Sequence, residues 1–145
     1  MIDSPLRPFH LAIPVRDITE SRAFYGQVLG LNEGRCCEEW IDWNLYGHQL
    51  VTHLNPHLGL QGKVPVHLNG VDGQGVPVPH FGVVLTLEDW YVLAQRLKGK
   101  VEFIIEPYTR FKGEAGEQST LFFSDPSGNA LEFKAFADLG QLFAK

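Results

Sequence analysis

The chain alternates apolar and polar residues in two short segments about seventy positions apart. Alternation with a period of two is typical of a strand that buries only one of its faces. The apolar face of the first segment carries Phe9, Leu11 and Ile13, and that of the second carries Phe81, Val83 and Leu85. The opposite face of each segment begins with a histidine, His10 in the first and His80 in the second.

A helical pattern follows each of these strands. Asp17 or Thr19 can accept the hydrogen bond that begins the first helix, and Gly30 suits its C-terminal end. The second helix is predicted over residues 88–98, before Gly99. His10 and His80 therefore hold equivalent positions in two copies of one unit.

Three strand-like stretches follow each helix, so both halves read as strand, helix and three strands. The sequence predicts two tandem βαβββ modules in one α+β domain spanning residues 1–145, with module 1 over about 8–55 and module 2 over about 79–136. The intervening residues 55–78 are rich in Gly, Pro and Asn without periodicity, which indicates a long loop. Residues 137–145 form a C-terminal tail.

Composition supports a single folded domain. The chain has 145 residues, of which 44% are hydrophobic and 20% are charged, enough to bury a core. The net charge of −5 and the lack of a basic cluster argue against a nucleic-acid partner. No apolar run approaches the length of a membrane span, and the N-terminal residues lack a signal core, so a cytoplasmic protein is predicted.

One carboxylate stands out in the final strand, "ALEFKAF". Glu132 shares a strand face with Ala130 and Lys134, whereas Leu131 and Phe133 occupy the other face. An isolated charge in a buried strand costs several kcal/mol unless it is paired, protonated or bound to a metal. The pattern therefore predicts that Glu132 is paired with another group, protonated or bound to a metal.

The stretches "DITESRAFYGQVLGL" and "DPSGNALEFKAF", with a histidine opening each module, resemble the vicinal oxygen chelate superfamily. This superfamily includes glyoxalase I, extradiol ring-cleaving dioxygenases, fosfomycin-resistance enzymes and bleomycin-resistance proteins. The resemblance covers residues 8–136 and is closest to single-domain extradiol dioxygenase-like members. It implies that the two modules form an open barrel around a metal site.

The strand phases and this resemblance together predict the metal ligands. If the apolar faces cover the helices, then His10, His80 and Glu132 point into the hollow. Two imidazoles and one carboxylate form a triad that suits Fe(II), with Mn(II), Ni(II) and Zn(II) as alternatives. A metal there would keep Glu132 ionised.

The resemblance also implies a reaction class. Metal enzymes of this kind bind a small substrate through adjacent oxygens, and three protein ligands favour a catechol-like substrate and an extradiol dioxygenase. Val51 stands where glyoxalase I needs a fourth, carboxylate ligand. Phe122 stands where extradiol enzymes usually carry a tyrosine.

Two further residues are candidates for catalytic roles. His53 shares the predicted hollow face with Val51 and could move a proton, although a solvent-exposed strand end explains it equally well. Arg110 could bind a substrate carboxylate through its planar fork, or could belong to a solvated hairpin.

Other functions stay open at this stage. The same triad could support glyoxalase-like lyase, isomerase or thiol-transfer chemistry, and a metal-free member could sequester a drug or another ligand without turnover. The resemblance allows pairing into a homodimer. The ligands could then meet within one chain or across two.

Overall fold

The computed structural model describes residues 6–145, and residues 1–5, which the sequence analysis places in the single domain, lie outside the described residues. The first half contains β1 (His10–Val15), α1 (Ile18–Arg22), β2 (Asn32–Cys36), β3 (Trp40–Leu45) and β4 (His48–Leu54). The middle contains β5 (His67–Val71) and β6 (Gln74–Val78). The second half contains β7 (His80–Phe81), β8 (Val84–Leu85), α2 (Leu87–Leu97), β9 (Phe103–Arg110), β10 (Gln118–Ser124) and β11 (Ala130–Phe136).

The first module forms a four-stranded sheet with the order β1-β4-β3-β2. Strands β1 and β4 are parallel, with His10 opposite Gln49 and Ala12 opposite Val51. The other neighbours in this sheet are antiparallel. Strands β2, β3 and β4 thus form consecutive hairpins, and β1 pairs with β4 at the edge of the sheet.

The second module repeats this arrangement in the order β7-β11-β10-β9, and β8 continues the edge beside β11. Strands β7 and β11 are parallel, with His80 opposite Ala130, while β10 runs antiparallel to β11 and places Phe122 opposite Glu132. Each module therefore begins with a histidine on an edge strand that pairs in parallel with the last strand. The predicted α+β fold of two βαβββ modules is confirmed.

Each helix begins directly after the residue whose side chain caps it. The Asp17 carboxylate accepts a hydrogen bond from the Glu20 backbone N–H at 2.7 Å, so Asp17 and not Thr19 caps α1. A π-helical segment over Ala23–Val28 continues α1, and Gly30 follows with a φ of 77°. Thr86 caps α2, which lies within one residue of the predicted boundaries.

One apolar core joins the two modules. The buried faces of both sheets pack against the helices, and the Trp90 indole of α2 donates to the Phe133 carbonyl at 3.0 Å. Across the modules, the Tyr25 hydroxyl donates to Asp125 Oδ2 at 2.7 Å. The core uses the strand faces that carry Leu50 and Leu131, so the faces that carry His10 and Glu132 lie on the other sides of their sheets.

The connection between the modules differs from the predicted loop over 55–78. Residues 67–78 form the antiparallel hairpin of β5 and β6, which turns at Asp72 and Gly73. Val76 packs in a small cluster with Ile105 and Phe122 and so attaches the hairpin to the second sheet. The alternation does not reveal this hairpin because β5 is exposed throughout, Gly70 interrupts β5, and Gly75 and Pro77 interrupt β6.

The described part of the chain has no helix that is long and apolar enough to cross a membrane.

Candidate metal and substrate site

A cleft lies between the second sheet and the β5–β6 hairpin. Its volume is about 290 Å³, which suits a small molecule. The groups in it that bear on chemistry are His80, Tyr108, Arg110, Thr120, Glu132 and Lys134. With Asp72, which also lines it, the cleft brings together one histidine, two carboxylates and two cationic side chains.

The Glu132 side chain is only 16% exposed and has two polar partners. The Thr120 hydroxyl donates to Oε2 at 3.2 Å, and the Lys134 Nζ atom lies 3.6 Å from Oε1. Lys134 follows two residues later on the same strand face, so it offsets the charge locally. The burial problem posed by Glu132 is therefore met by a hydrogen bond and an ion pair.

The orientation of the His80 ring is set by the hairpin. Its Nδ1 atom lies 2.7 Å from the Pro77 carbonyl oxygen, which can only accept a hydrogen bond, so Nδ1 carries the proton. The Nε2 lone pair is then free to bind a metal. A hydrogen bond from the second ring nitrogen to a carbonyl is typical of metal-ligating histidines.

His10 is arranged in the same way on the first sheet. Its Nδ1 atom lies 2.9 Å from Oε1 of Gln49, the residue directly opposite it on β4. The amide oxygen accepts a hydrogen bond from Nδ1–H and leaves Nε2 free, while the imidazole itself is exposed. Both histidines that open the modules therefore present a free Nε2 atom.

The structure separates the predicted site residues into two groups. His80, Glu132 and Arg110 line the cleft on the second sheet. His10 and His53 lie on the outer face of the first sheet, where Gln49 faces one and Pro14 the other. Among residues 6–145, no three His, Cys, Asp or Glu side chains lie close enough together to hold a metal within one chain. His80 and Glu132 line the same cleft, whereas His10, the third predicted ligand, lies outside its lining.

Arg110 is already paired inside the cleft. Its Nη1 atom donates to Asp72 Oδ2 at 2.7 Å, and the two side chains are 34% and 59% exposed. The hydrogen bond and the charge of Asp72 raise the pKa of Arg110 above its ordinary value. Asp72 lies at the tip of the hairpin, so this ion pair joins the hairpin to β9.

Phe122 lacks the hydroxyl group of the tyrosine that extradiol enzymes usually carry at this position. It is 2% exposed and makes an edge-on contact with the His80 ring, with 4.9 Å between the ring centroids. Thr120, two residues away on the same strand face, carries a hydroxyl group, and Tyr108 lies opposite Thr120 on β9. Tyr108 lines the same cleft and is the aromatic hydroxyl available there.

Sequence reasoning missed the roles of Thr120 and Lys134. Thr120 lies two residues from Phe122 on β10, so the same period of two that placed Glu132 would have found it. Lys134 was assigned to the correct face, but its ion pair with Glu132 depends on a side-chain conformation that the pattern does not encode.

The structure is thus an α+β fold of two tandem βαβββ modules, with a histidine at the start of each module and a glutamate on the last strand. The family model described as the Glyoxalase/Bleomycin resistance protein/Dioxygenase superfamily matches residues 7–133. The chain belongs to this superfamily, also called vicinal oxygen chelate proteins.

Solved structures agree with this assignment. A glyoxalase/bleomycin resistance protein/dioxygenase from Alicyclobacillus acidocaldarius is 30% identical, with a TM-score of 0.73 over 98% of this chain and 100% of that one. A glyoxalase/dioxygenase from Nostoc punctiforme is 20% identical, with a TM-score of 0.64 over 95% and 100% of the two chains. A fosfomycin resistance protein from Listeria monocytogenes is 19% identical, with a TM-score of 0.63 over 97% and 98%. The last two similarities show only that the fold is shared. A comparison with curated protein sequences finds no match.

Proposed function

We propose that this protein is a metal-dependent enzyme in which His10, His80 and Glu132 hold a divalent cation. The observation that carries the proposal is the shared cleft of His80 and Glu132, each held by its own hydrogen bond. His10 has the same supporting bond and the same free nitrogen. Two imidazoles and one carboxylate leave positions for substrate, as Fe(II) sites of this type require.

We infer that two copies of the chain complete each site. The cleft of the second sheet offers two ligands, and the outer face of the first sheet offers His10 without a neighbouring carboxylate to complete a triad. A homodimer that places the first sheet of one copy against the second sheet of the other would supply the third ligand. Closed two-fold pairing then gives two equal sites.

A mixing experiment tests the shared site. His10→Ala and Glu132→Ala homodimers should each lack metal-dependent activity. After the two variants are mixed and allowed to exchange subunits, about one quarter of the sites should be intact, because half of the dimers are mixed and each mixed dimer has one complete site. Activity that stays at the level of the separate variants would contradict a site shared between subunits.

The residues around the metal have distinct roles in this proposal. A bound divalent cation polarises the chelated oxygens of the substrate and offsets the negative charge that develops on them. Thr120 and Lys134 fix the Glu132 carboxylate. His53 lies on the face of His10 and transfers a proton between a substrate hydroxyl and solvent, because an imidazole can both accept and donate a proton. Arg110 binds an anionic group of the substrate.

The reaction we propose first is extradiol ring cleavage of a catechol-like substrate with Fe(II). In this reaction both atoms of O₂ enter the product, and one ring C–C bond beside the hydroxyl groups breaks. Protein loaded with Fe(II) without oxygen and then mixed with substituted catechols in air should consume O₂ and form the yellow ring-opened product. Loaded protein that leaves every catechol unchanged would contradict this chemistry.

One observation favours a second candidate function. The apolar Phe122 side chain, not a tyrosine, contacts His80, and the cleft contains two cationic residues, Arg110 and Lys134. This combination suits the addition of a thiol or of water to a small anionic electrophile with Mn(II), Ni(II) or Zn(II). Turnover of epoxides or hemithioacetals by the Mn(II)- or Ni(II)-loaded protein would support lyase, isomerase or thiol-transfer chemistry over ring cleavage. Tight ligand binding without turnover would instead indicate a sequestering protein.

A further inference from the structure

We propose that Asp72 occupies the place of a substrate carboxylate, and that the substrate binds by displacing Asp72 from Arg110 and releasing the tip of the β5–β6 hairpin. This inference rests on the proposed function, because it names the substrate class of the same cleft. In this proposal Arg110 selects a substrate that carries a carboxylate. The Asp72–Arg110 ion pair, called the latch below, holds the hairpin tip against the sheet until that substrate binds.

The first step of the argument is how the hairpin is attached. Its base is held by the hydrogen bond between His80 and the Pro77 carbonyl, and its middle is held by Val76 against Ile105 and Phe122. Near the tip, the ion pair from Asp72 to Arg110 reaches the sheet. The attachment therefore changes from buried and apolar near the base to exposed and ionic at the tip.

The second step is the geometry of the tip. Asp72 and Gly73 have φ values of 49° and 79°, which are typical of a tight two-residue hairpin turn. Such a turn presents the Asp72 carboxylate in a defined position at the mouth of the cleft. A free carboxylate from solution can make the same contact with the guanidinium group, and it has no chain attached to it.

The third step is the strength of the latch. Both side chains of the pair are at least one third exposed, and exposed ion pairs contribute little because water and salt screen them. The guanidinium fork can take a carboxylate through two parallel hydrogen bonds, whereas Asp72 is held through Nη1. A substrate that also binds the metal can therefore displace Asp72.

The fourth step is the spacing between the two binding groups. Arg110 lies opposite Gln118, and Glu132 lies opposite Phe122, so the two positions are four residues apart along β10. At about 3.3 Å per residue this is roughly 13 Å along the strand direction, and the two strand spacings across β10 add roughly 10 Å at right angles to it. The long Arg110 side chain shortens this separation. The geometry selects a small molecule with adjacent oxygens at one end and a carboxylate at the other.

The test uses two probes that differ only in charge, 3,4-dihydroxybenzoate and 3,4-dihydroxybenzamide. Their binding to the Zn(II)-loaded protein is measured by calorimetry, since Zn(II) has no redox chemistry. We expect Asp72→Asn to bind the benzoate about three to ten times more tightly than the wild type, and Arg110→Gln to bind it at least about ten times more weakly. Arg110→Lys should lie between wild type and Arg110→Gln, because it keeps the charge and loses the fork.

The benzamide and a charge-matched variant serve as controls. All variants should bind the benzamide with equal affinity, and Asp89→Asn, at an exposed position of α2, should behave like the wild type toward both probes. Equal binding of benzoate and benzamide by the wild type, or weaker benzoate binding in Asp72→Asn, would overturn the inference. Failure of the proposed function has a different signature, since the wild type would then hold no metal.

A second measurement needs no metal. Amide hydrogen exchange of the metal-free protein should be faster over residues 68–76 in Asp72→Asn than in the wild type, with β11 unchanged. This result is expected because removing the latch leaves the tip without its ionic contact to the sheet. Unchanged exchange at the tip would overturn the latch even if the carboxylate preference held.

Discussion

At the scale of single residues, the site depends on how closely Gly82 approaches the strand that carries Glu132. Gly82 lies between β7 and β8, and a methyl group added to it would overlap the carbonyl oxygen of Glu132. Glycine is the residue that allows backbones to pass this closely. The first module has Ala12 at the equivalent position, opposite Val51. The close approach is thus specific to the module that carries the carboxylate.

The first prediction follows from this contact. Gly82→Ala should lower the free energy of unfolding by about 1–3 kcal/mol or more, because the edge strand has to move away from β11. It should also weaken metal binding, since the movement displaces His80 relative to Glu132. Gly70→Ala is the matched control, because a methyl group there meets no atom within 4 Å. Chemical denaturation checks the prediction, and equal stability of the two variants would contradict it.

A second prediction concerns the hydrogen bond between the modules. Tyr25 is fully buried and donates to Asp125, which also accepts hydrogen bonds from the Ser127 and Asn129 backbone N–H groups. Tyr25→Phe should lower the free energy of unfolding by about 1.5–3 kcal/mol, because a buried carboxylate loses a donor. Tyr91→Phe, at an exposed position of α2, should have almost no effect. Equal denaturation midpoints for both variants would refute this account.

At the scale of secondary-structure elements, the sequence predicts most where a strand or helix buries one face. The alternation predicts β1, whose Leu11 and Ile13 reach the core, although Phe9 stays exposed outside the strand. The second predicted strand is interrupted at Gly82 and Val83 and forms the two short strands β7 and β8. The hairpin was not predicted, since its contacts with the sheet come mainly from Val76 and from an ion pair. The π-helical continuation of α1 was also missed, because its apolar stripe resembles that of an α-helix.

The third prediction concerns the start of α1 and its pH dependence. Arg16 donates through Nε and Nη2 to the two oxygens of Glu20 at 2.8 and 2.7 Å, and this contact lowers the pKa of Glu20. A lowered pKa stabilises the fold above the ordinary glutamate pKa of 4.5, and the contribution is lost as the pH falls through the folded pKa. Glu20→Gln should therefore be less stable than the wild type near neutral pH.

The same difference should shrink in acid. Well below pH 4.5, Glu20 is protonated in both states and the two proteins should denature at closer midpoints. Glu38→Gln, in an exposed turn, provides a control for loss of one negative charge. A stability difference between wild type and Glu20→Gln that grows as the pH falls would contradict the assigned role of this ion pair.

At the scale of the whole molecule, the sequence predicts a candidate ligand set but not how its members are brought together. The strand phases placed Glu132 and His80 on a common face, and the structure puts both in one cleft. The same phases placed His10 on the equivalent face of the first sheet. Within one chain, that face does not line the cleft of the second sheet. The alternation pattern tells which residues of a single strand share a face. The placement of two sheets relative to each other depends instead on the core between them and on any second copy of the chain.

The measurement that tests the central claim most directly is the metal content of protein purified without chelator, determined by mass spectrometry beside a Glu132→Ala control. The account predicts about one divalent metal ion per chain in the wild type, because each pair of chains forms two sites, and little or none in the control. Iron would favour ring cleavage, and Mn, Ni or Zn the second candidate chemistry. A wild-type protein that stays metal-free after reconstitution, or a control that binds the same amount of metal, would contradict the account.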